Sequence, residues 1–325
     1  MKVVQSRFYI EKANEGSVIQ DRTSLLVWFL SVMKWKELGY EPYLYTDEIT
    51  KEKFDELGLT PLYDNVIVLS KEDVNTEVFW ASSKILSAKK FMESYPNEEF
   101  IISDLDFVPL TDPKTFASSE DSLVTFYPEY LKMYSPLEYL KINPEYTLPE
   151  FFTGKVDPIN TCFLYIQKNN LELFGNYLDI ELDFMNYHYD FESGQISNDL
   201  MIFIEQQMFT EYLVSNNITI DFTNPENKSV FNINGLHTGP YKSIEKVEYF
   251  KWIIWYFKMI KEISEGIYNI IISLDLYSDI KEIIDNKSGE YINKKDSKTK
   301  IEDFSWDTLE YPRAFEDIYD PAWNS

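Results

Sequence analysis

Two aspartates directly after an apolar strand are the residues of this sequence best placed to do chemistry. Asp104 and Asp106 stand at positions i and i+2 in the segment EFIISDLDFVPL, residues 99–110. In open α/β sheets, ligands collect at the carboxyl ends of the strands, where this pair would lie. Two carboxylates in a turning segment can share one divalent cation, which stabilises the charge that develops when a sugar–phosphate bond breaks. The D-x-D triplet therefore predicts a cation site for a nucleotide diphosphate.

A second segment, NINGLHTGPYK at residues 232–242, combines groups that suit a phosphate and a metal. Gly235 and Gly239 allow the backbone to approach a phosphate closely. His237 can complete the coordination of a metal, and Lys242 can neutralise phosphate as a point charge. The alternative is an ordinary turn with a hydrogen-bonded histidine. The distant D-x-D pair favours the ligand site over that alternative.

The remaining polar candidates are less specific. His188 lies in a segment rich in acids and tyrosines, and we expect a structural role for it. Glu205, Gln206 and Gln207 are consecutive within a predicted helix, so they cannot share one helix face. One of them can point into a cleft while another faces water. The alternative is a helical turn that is solvated throughout.

The composition limits which sites and partners the chain can have. Its 325 residues carry a formal charge of −25, and 17% are aromatic, which is enough to bury a large core. The single cysteine, Cys162, excludes an intramolecular disulfide and Cys-rich metal clusters. With only 2 histidines, a metal must be held mainly by carboxylates, which favours Mg²⁺ or Mn²⁺. The negative charge makes broad contact with nucleic acid unfavourable.

The hydrophobic pattern predicts strands and helices in alternation over the first half of the chain. Short connections between them indicate βαβ units and a mostly parallel sheet. Neither a G-x-G-x-x-G nor a P-loop pattern follows any strand, which disfavours a dinucleotide-binding Rossmann site and a P-loop. We predict a loop-rich insertion at 127–152 and a loop or lid at 181–199. The predicted strands are 2–6, 41–46, 65–69, 99–102, 122–126 and 161–167, and the predicted helices are 23–38 (ended by Gly39), 51–57, 80–95, 170–178 and 199–213.

The last quarter of the chain has a different pattern from the rest. We predict a helical extension over 244–325, which includes a docking tail rich in aromatic residues. Charged residues interrupt the N-terminus before a signal peptide could form, and the apolar stretch 247–260 is too short to span a bilayer. We therefore expect a soluble, cytoplasmic protein. Peripheral contact of 244–262 with the inner face of a membrane stays open, because its lysines fall in one sector of a helix.

Taken in order, these segments resemble a GT-A fold glycosyltransferase, and more closely glycosyltransferase family 8 and related bacterial capsule or lipopolysaccharide sugar transferases. The D-x-D of that family is present as D-L-D. The family's N-T/S-G is N-T-C at 160–162, its D-Q-D is E-Q-Q at 205–207, and its H-x-x-G-x-x-K is H-x-G-x-x-K at 237–242. The resemblance covers about residues 1–243. It implies that this range is an α/β catalytic domain with a GT-A (Rossmann-like) mixed, mostly parallel sheet flanked by helices.

The resemblance also implies a role for each residue that matches the motifs. Asp104, Asp106 and His237 would hold Mn²⁺ or Mg²⁺ on the diphosphate of the donor. Lys242 and the backbone at Gly239 would contact those phosphates. Together these residues would form the metal and phosphate part of the site.

Other matching positions would form the pocket for the nucleotide and the sugar. Lys84, in the helix before the D-x-D strand, would approach the donor sugar or phosphate. Asn160 and Gln206 would face the sugar, with Gln206 beside the anomeric carbon. The nucleotide pocket would be lined by Gln5, Ser6, Tyr45 and Asp47.

These observations predict a metal-dependent glycosyltransferase that moves a sugar from a nucleotide-sugar, expected to be UDP-linked, to a carbohydrate or glycolipid acceptor. The resemblance implies retention of anomeric configuration. An inverting reaction would instead need a carboxylate base, and the choice among Glu129, Asp157, Asp190 and Asp199 stays open. Two alternatives remain. One is a nucleotidyltransferase, although the glycine-rich N-terminal loop typical of that class is missing, and the other is a non-catalytic GT-A-like binding or structural module.

Overall fold

Ten strands form two sheets in the part of the chain that the structure describes. The structure, a computed structural model, describes residues 1–8, 22–56, 59–70, 82–131, 139–188, 198–225, 231–232 and 235–237. The strands are β1 Lys2–Arg7, β2 Glu41–Thr46, β3 Asn65–Val68, β4 Phe100–Ser103, β5 Phe107–Pro109, β6 Leu123–Thr125, β7 Phe163–Ile166, β8 Ile220–Phe222, β9 Phe231–Asn232 and β10 Gly235–His237.

The main sheet has seven strands in the order β3-β2-β1-β4-β7-β6-β8. The pairs β1–β2, β2–β3, β1–β4 and β6–β8 are parallel. Strand β7 is antiparallel to both of its neighbours, β4 and β6. Every strand of this sheet except β7 therefore runs in the same direction, which confirms the predicted mixed, mostly parallel α/β architecture.

Helices cover both faces of the main sheet. Two helices, α3 (Ser82–Ser94) and α4 (Leu171–His188), pack on one face, where Val4, Ile102 and Phe91 belong to a large apolar core. Helix α1 packs on the opposite side against β2 and β5, with Trp35 wholly buried. The helices are α1 Arg22–Glu37, α2 Glu48–Glu56, α3 Ser82–Ser94, α4 Leu171–His188, α5 Asn198–Ile202, a π-helical segment Phe203–Met208 and α6 Phe209–Ser215, with short 3₁₀ turns at Thr60–Leu62, Pro113–Phe116 and Lys168–Asn170.

Helix α1 ends as its sequence predicts. Gly39 has a φ of +84°, a left-handed conformation that glycine adopts without steric cost. The Gly39 N–H donates to the Lys36 carbonyl at 2.9 Å, and the Tyr40 N–H donates to the Trp35 carbonyl at 3.0 Å. These two bonds satisfy carbonyls of the last helical turn, and they lead the chain directly into β2.

The predicted loop or lid at 181–199 is wrong for its first eight residues. Helix α4 continues to His188, ten residues beyond the predicted end at Leu178. Buried positions 181, 184, 185 and 188 extend the series 171, 174, 177 and 178 at helical spacing, so one continuous face packs on the core. The acids and tyrosines between them suggested a loop because they occupy the outward face. Residues 189–197 lie outside the described residues.

A second, three-stranded sheet has the order β5-β10-β9, and both of its pairings are antiparallel. Its strands were not predicted, because each has only two or three residues. All described elements belong to one compact unit, Met1–Thr238. The predicted helical extension over 244–325 lies outside the described residues. No helix in the described ranges combines the length and apolar character needed to cross a membrane.

Two buried polar side chains fix the predicted insertion at 127–152 and the loop that follows it. At the end of α4, His188 Nε2 accepts the N–H of Asn143, a residue of the insertion, at 2.9 Å. The His188 Nδ1–H donates to the Phe184 carbonyl at 2.8 Å. Glu211 of α6, which is 2% exposed, accepts backbone N–H groups of Thr153 and, at 2.9 Å, of Lys155. Backbone N–H groups of these loops are therefore bonded to buried side chains instead of to a neighbouring strand or helical turn.

Replacing Glu211 with glutamine should lower the free energy of unfolding by about 2 kcal/mol or more. The amide nitrogen of the new side chain would face backbone N–H groups, which would leave at least one buried donor unpaired. Urea denaturation followed by circular dichroism measures the effect. Glu172→Gln, on the exposed side of α4, is the control and should change stability little. Equal stability of the two variants would contradict this account.

Stability should also fall below pH 6.5 because of His188. Burial lowers the pKa of His188, and the Asn143 N–H requires Nε2 to stay unprotonated. The unfolded chain therefore takes up a proton at about pH 6.5 while the folded chain does not, so the contribution is present above that pH and is lost as the pH falls.

The measurement is urea denaturation at pH 7.5 and pH 5.5 for the wild type and for His188→Gln. Glutamine can still accept the Asn143 N–H but does not titrate in this range. The variant should lose less stability between the two pH values than the wild type. The same pH dependence in both proteins would show that His188 does not contribute.

Candidate functional site

Several of the predicted site residues lie at one edge of the main sheet. The parallel strands β1, β2 and β4 end at Arg7, Thr46 and Ser103, so their carboxyl ends meet at this edge. Strand β7 runs the opposite way and begins at Phe163, so the residues before it lie at the same edge. The edge therefore brings together Gln5, the D-x-D turn and the N-T-C segment, which are far apart in sequence.

Asp104 and Asp106 lie on a tight turn directly after β4, as their position in the sequence predicts. The Asp104 N–H donates to the Cys162 carbonyl at 2.7 Å, and the Phe107 N–H donates to the Asp104 carbonyl at 3.3 Å. The chain then enters β5, where the Phe107 ring stacks on Phe163 at a centroid distance of 4.6 Å. Both aspartate side chains remain partly exposed.

Gln5 and Ser31 support this turn from behind. Gln5 is fully buried, and its Nε2 donates to Ser31 Oγ at 2.8 Å and to the Asp104 carbonyl at 3.4 Å. Ser31 Oγ in turn donates to the Phe107 carbonyl at 2.6 Å. The two side chains hold both ends of the D-x-D turn. The predicted pocket residue Gln5 thus contacts the turn itself, and sequence reasoning missed Ser31, which looks like any polar residue of α1.

Lys84 forms the centre of the polar network at this edge. Its ammonium lies 3.0 Å from Asp104 Oδ1, 2.6 Å from Glu205 Oε1, and within hydrogen-bond distance of the Thr161 carbonyl. Burial alone would lower the pKa of Lys84, but the charges of Asp104 and Glu205 outweigh it and raise the pKa. Lys84 is therefore a permanent cation that joins α3, the D-x-D turn and the N-T-C segment.

The surroundings of this network raise the pKa values of two of its acids. Burial, together with the charges of Asp106 and Glu205, raises the pKa of Asp104 to about 7, although Lys84 acts in the opposite direction. Burial also raises the pKa of Glu181 well above its ordinary value, and the charge of Glu205 adds to the effect. Burial and the mutual repulsion of these acids therefore favour their neutral forms, in spite of the positive charge of Lys84.

Of the three consecutive polar residues at 205–207, the structure turns Glu205 toward this network. Glu205 is 8% exposed, and its Oε1 accepts hydrogen bonds from Lys84 and, at 3.1 Å, from Thr161 Oγ1. Gln206, the predicted neighbour of the anomeric carbon, is half-buried, and its carbonyl accepts from Thr210 Oγ1 at 2.7 Å. All three residues lie in the π-helical segment, whose wider turns change the direction of side chains relative to an α-helix.

Asn160 is buried in the N-T-C segment and links it to a carboxylate. Its Nδ2 donates to Glu129 Oε1 at 2.6 Å, and its Oδ1 accepts the Cys162 N–H at 3.0 Å. Glu129 is one of the four candidate bases, and this bond fixes it beside the segment. Of the others, Asp157 accepts the Leu131 N–H at 2.9 Å, while Asp199 is exposed on α5. The fourth candidate, Asp190, lies outside the described residues.

The remaining predicted pocket residues have clear structural partners. Ser6 Oγ donates to Ser83 Oγ at 3.3 Å, at the start of α3. Tyr45 is 2% exposed in the core, and burial raises its pKa. Asp47 caps α2, because its carboxylate accepts the Thr50 N–H at 2.8 Å. Ser6 and Asp47 lie at the predicted edge, whereas the Tyr45 side chain packs inward.

Arg7 is a site residue that sequence reasoning missed. It is the last residue of β1, and its guanidinium lies 5.1 Å from the centroid of the Trp28 ring. Burial lowers the pKa of Arg7, and the nearby charges of Asp106 and Asp47 act in the opposite direction. Because Asp47 follows β2 and Asp106 follows β4, Arg7 lies between the ends of these two strands. The chain has only three arginines, and this scarcity is the feature of the sequence that could have drawn attention to Arg7.

The second sheet brings the predicted histidine segment to the D-x-D turn. Strand β10 pairs with β5 so that His237 is opposite Phe107, the residue that follows Asp106. The backbone of His237 therefore lies beside the turn that carries both aspartates. Gly239 and Lys242 lie outside the described residues.

The donor set at the turn fits a hard divalent cation. Asp104 and Asp106 supply carboxylate oxygens, and the repulsion between their charges is one that a bound cation would relieve. Among the side chains that the structure describes, no three of the His, Cys, Asp and Glu type come close enough to hold a metal. A third protein ligand would have to come from elsewhere, and the position of His237 is adjacent.

Comparisons with known proteins give limited support from solved structures alone. No protein-family model matches the chain, and no curated protein matches it either. Among solved structures, a crystal structure of an active-site mutant of LgtC matches with 10% sequence identity and a TM-score of 0.38, over 73% of this chain and 86% of that one. At this TM-score the fold assignment rests on the strand order and strand directions rather than on the likeness.

Replacing Ser31 with alanine should lower the free energy of unfolding by about 1–2 kcal/mol. The change leaves the buried Gln5 amide and the Phe107 carbonyl without the hydroxyl that joins them. Ser94→Ala is the control, because the Ser94 hydroxyl is exposed and bonds only to the Lys90 carbonyl of its own helix. Urea denaturation of both variants tests this role, and an equally small effect of Ser31→Ala and Ser94→Ala would rule it out.

Proposed function

We propose that this protein is a metal-dependent glycosyltransferase that moves a sugar from a nucleotide-sugar to a carbohydrate or glycolipid acceptor. The donor that we expect is UDP-linked. The observation that carries the proposal is the convergence of two carboxylates, a buried Lys84–Glu205 pair and the backbone of His237 at the carboxyl edge of a mostly parallel sheet. Each group suits a part of such a reaction, and the edge is where ligands of open α/β sheets bind.

The metal and phosphate part of the proposed site consists of the D-x-D turn and the histidine segment. Asp104, Asp106 and His237 would hold Mn²⁺ or Mg²⁺, with Lys242 and the backbone at Gly239 on the phosphates. When bound, the cation neutralises the negative charge of the leaving diphosphate. The Gln5–Ser31 support keeps the turn rigid, so the carboxylates need little reorganisation when the charge develops.

The sugar part of the proposed site lies between the N-T-C segment and the π-helical segment. Asn160 and Gln206 would face the donor sugar, with Gln206 beside the anomeric carbon, and Glu205 would stand next to them. Asn160 is held by Glu129, and Glu205 is held by Lys84 and Thr161, so both are preorganised. We propose retention of anomeric configuration, in which case Glu129 orients Asn160. In an inverting reaction Glu129 would be the first base to test, because it is the described candidate joined to a site residue.

The excess of acid in the chain bears on how the donor would bind. A nucleotide diphosphate is itself an anion, and the chain carries a formal charge of −25. Binding is favourable only where positive charge locally reverses the field, which a divalent ion together with Lys242 and Arg7 can do. Donor binding should therefore depend strongly on the metal.

Asp106→Asn should weaken nucleotide-sugar binding in the presence of Mn²⁺ by at least about tenfold, and should abolish transfer. The change removes one carboxylate from the cation site and keeps the size of the side chain. A thermal-shift titration with a panel of nucleotide-sugars, with and without Mn²⁺, measures binding and reports the preferred base and sugar. Release of the nucleotide then measures turnover.

Asp179→Asn is the matched control, because Asp179 is exposed on α4 and pairs only with Lys89. It should bind and turn over like the wild type. A binding or structural module would keep its ligand and release no nucleotide in the wild type. If no nucleotide-sugar stabilises the wild type at millimolar concentration with Mn²⁺ present, the proposed function is wrong.

A further inference from the structure

The ammonium of Lys84 has no hydrogen-bond donor to spare for a ligand. An ammonium carries three N–H donors. The structure gives it three acceptors, which are Asp104 Oδ1 at 3.0 Å, Glu205 Oε1 at 2.6 Å and the Thr161 carbonyl. The Lys84 side chain is 11% exposed, so water contributes little. A contact between Lys84 and a donor sugar or phosphate therefore requires one of the three bonds to break.

The three acceptors differ in how easily they can release Lys84. Thr161 is 2% exposed, two residues before β7, and its carbonyl belongs to the buried backbone. Glu205 is 8% exposed and lies within a helical segment packed on the core. The Asp104 side chain is 28% exposed and sits on a turn at the edge of the sheet. The bond to Asp104 is thus the one that solvent and ligands can reach.

A divalent cation at the D-x-D turn would compete with Lys84 for the same carboxylate. Both are cations, and a metal coordinated by Asp104 would stand within a few ångströms of the ammonium. Two positive charges at such a distance repel each other strongly in a partly buried site. Glu205 and Thr161 can retain Lys84 on the other side, so the ammonium need not leave the network when Asp104 is taken.

We propose that Lys84 is an internal counter-ion of Asp104 that a divalent cation displaces, and that this displacement frees one Lys84 N–H for the anionic donor. This inference rests on the proposed function. It makes metal and donor binding mutually favourable, because the metal removes Lys84 from Asp104 and the donor phosphate then accepts the freed N–H. Binding would be ordered, with the metal first.

The proposal predicts opposite effects for two variants that break the same ion pair. Lys84→Met removes the competitor, so Mn²⁺ should bind at least about fivefold more tightly in the absence of nucleotide. Glu205→Gln removes the charge that draws Lys84 away from Asp104, so Mn²⁺ should bind at least about fivefold more weakly. Loss of packing alone would weaken Mn²⁺ binding in both variants. The sign of the change therefore separates a counter-ion from a merely structural residue.

The experiment is a Mn²⁺ titration of the full chain, with free Mn²⁺ measured by electron paramagnetic resonance, first alone and then with UDP. In the wild type UDP should tighten Mn²⁺ binding, and Lys84→Met should lose most of that enhancement. Lys89→Met, on the same helix but paired with the exposed Asp179, is the control and should match the wild type. Circular dichroism checks that each variant is folded.

The proposal is overturned if Lys84→Met binds Mn²⁺ no more tightly than the wild type, if both variants shift in the same direction, or if no form binds Mn²⁺. Should Lys84→Met fail to fold, Glu205→Gln decides alone, and unchanged or tighter binding overturns the proposal. The proposed function fails separately. Opposite Mn²⁺ shifts without any nucleotide-sugar binding would contradict the glycosyltransferase and leave the counter-ion in place.

Discussion

The burial of several acids around one ammonium is the constraint on which this site depends. Asp104, Glu205 and Glu181 would be costly to bury together, because each carboxylate loses hydration and repels the others. Lys84 offsets part of that cost by pairing with two of them. Burial, together with the remaining repulsion between the acids, raises the pKa values of Asp104 and Glu181 and so favours their neutral forms. A cation bound beside Asp104 would favour its charged form and so offset part of this cost.

The surrounding elements serve to hold that network in place. Helix α3 presents Lys84 from its first turn, and the π-helical segment presents Glu205. The N-T-C segment supplies the backbone carbonyl of Thr161. Beside them, a small cavity of about 20 Å³ lies among Lys84, Glu181, Glu205 and apolar core residues, which is room for about one water molecule. The site is thus continuous with the core, and its acids share the low dielectric of the interior.

Much of the fold could be predicted from the sequence because the local signals were strong. The run EPYLYT is a strand with the predicted bounds, and Gly39 ends α1 as its position indicated. The failures have physical causes. Helix α4 is longer than predicted because burial of every third or fourth side chain outweighed the polar composition of its outward face. Strands β5 and β10 were missed because short antiparallel strands form only when a distant partner supplies the hydrogen bonds.

The sequence by itself determined the class of the fold, the D-x-D turn at a strand end and the short list of polar residues that could act with it, because these follow from periodicity and from residue chemistry along the chain. Only the tertiary structure decided which of them meet. It turned Glu205 toward Lys84 and Thr161, since π-helical turns do not follow the period of an α-helix. It placed Gln5 behind the turn, added Ser31 and Arg7, and brought the His237 backbone beside Phe107. These outcomes depend on contacts between residues distant in sequence, and such contacts are set by packing and strand pairing rather than by any local pattern.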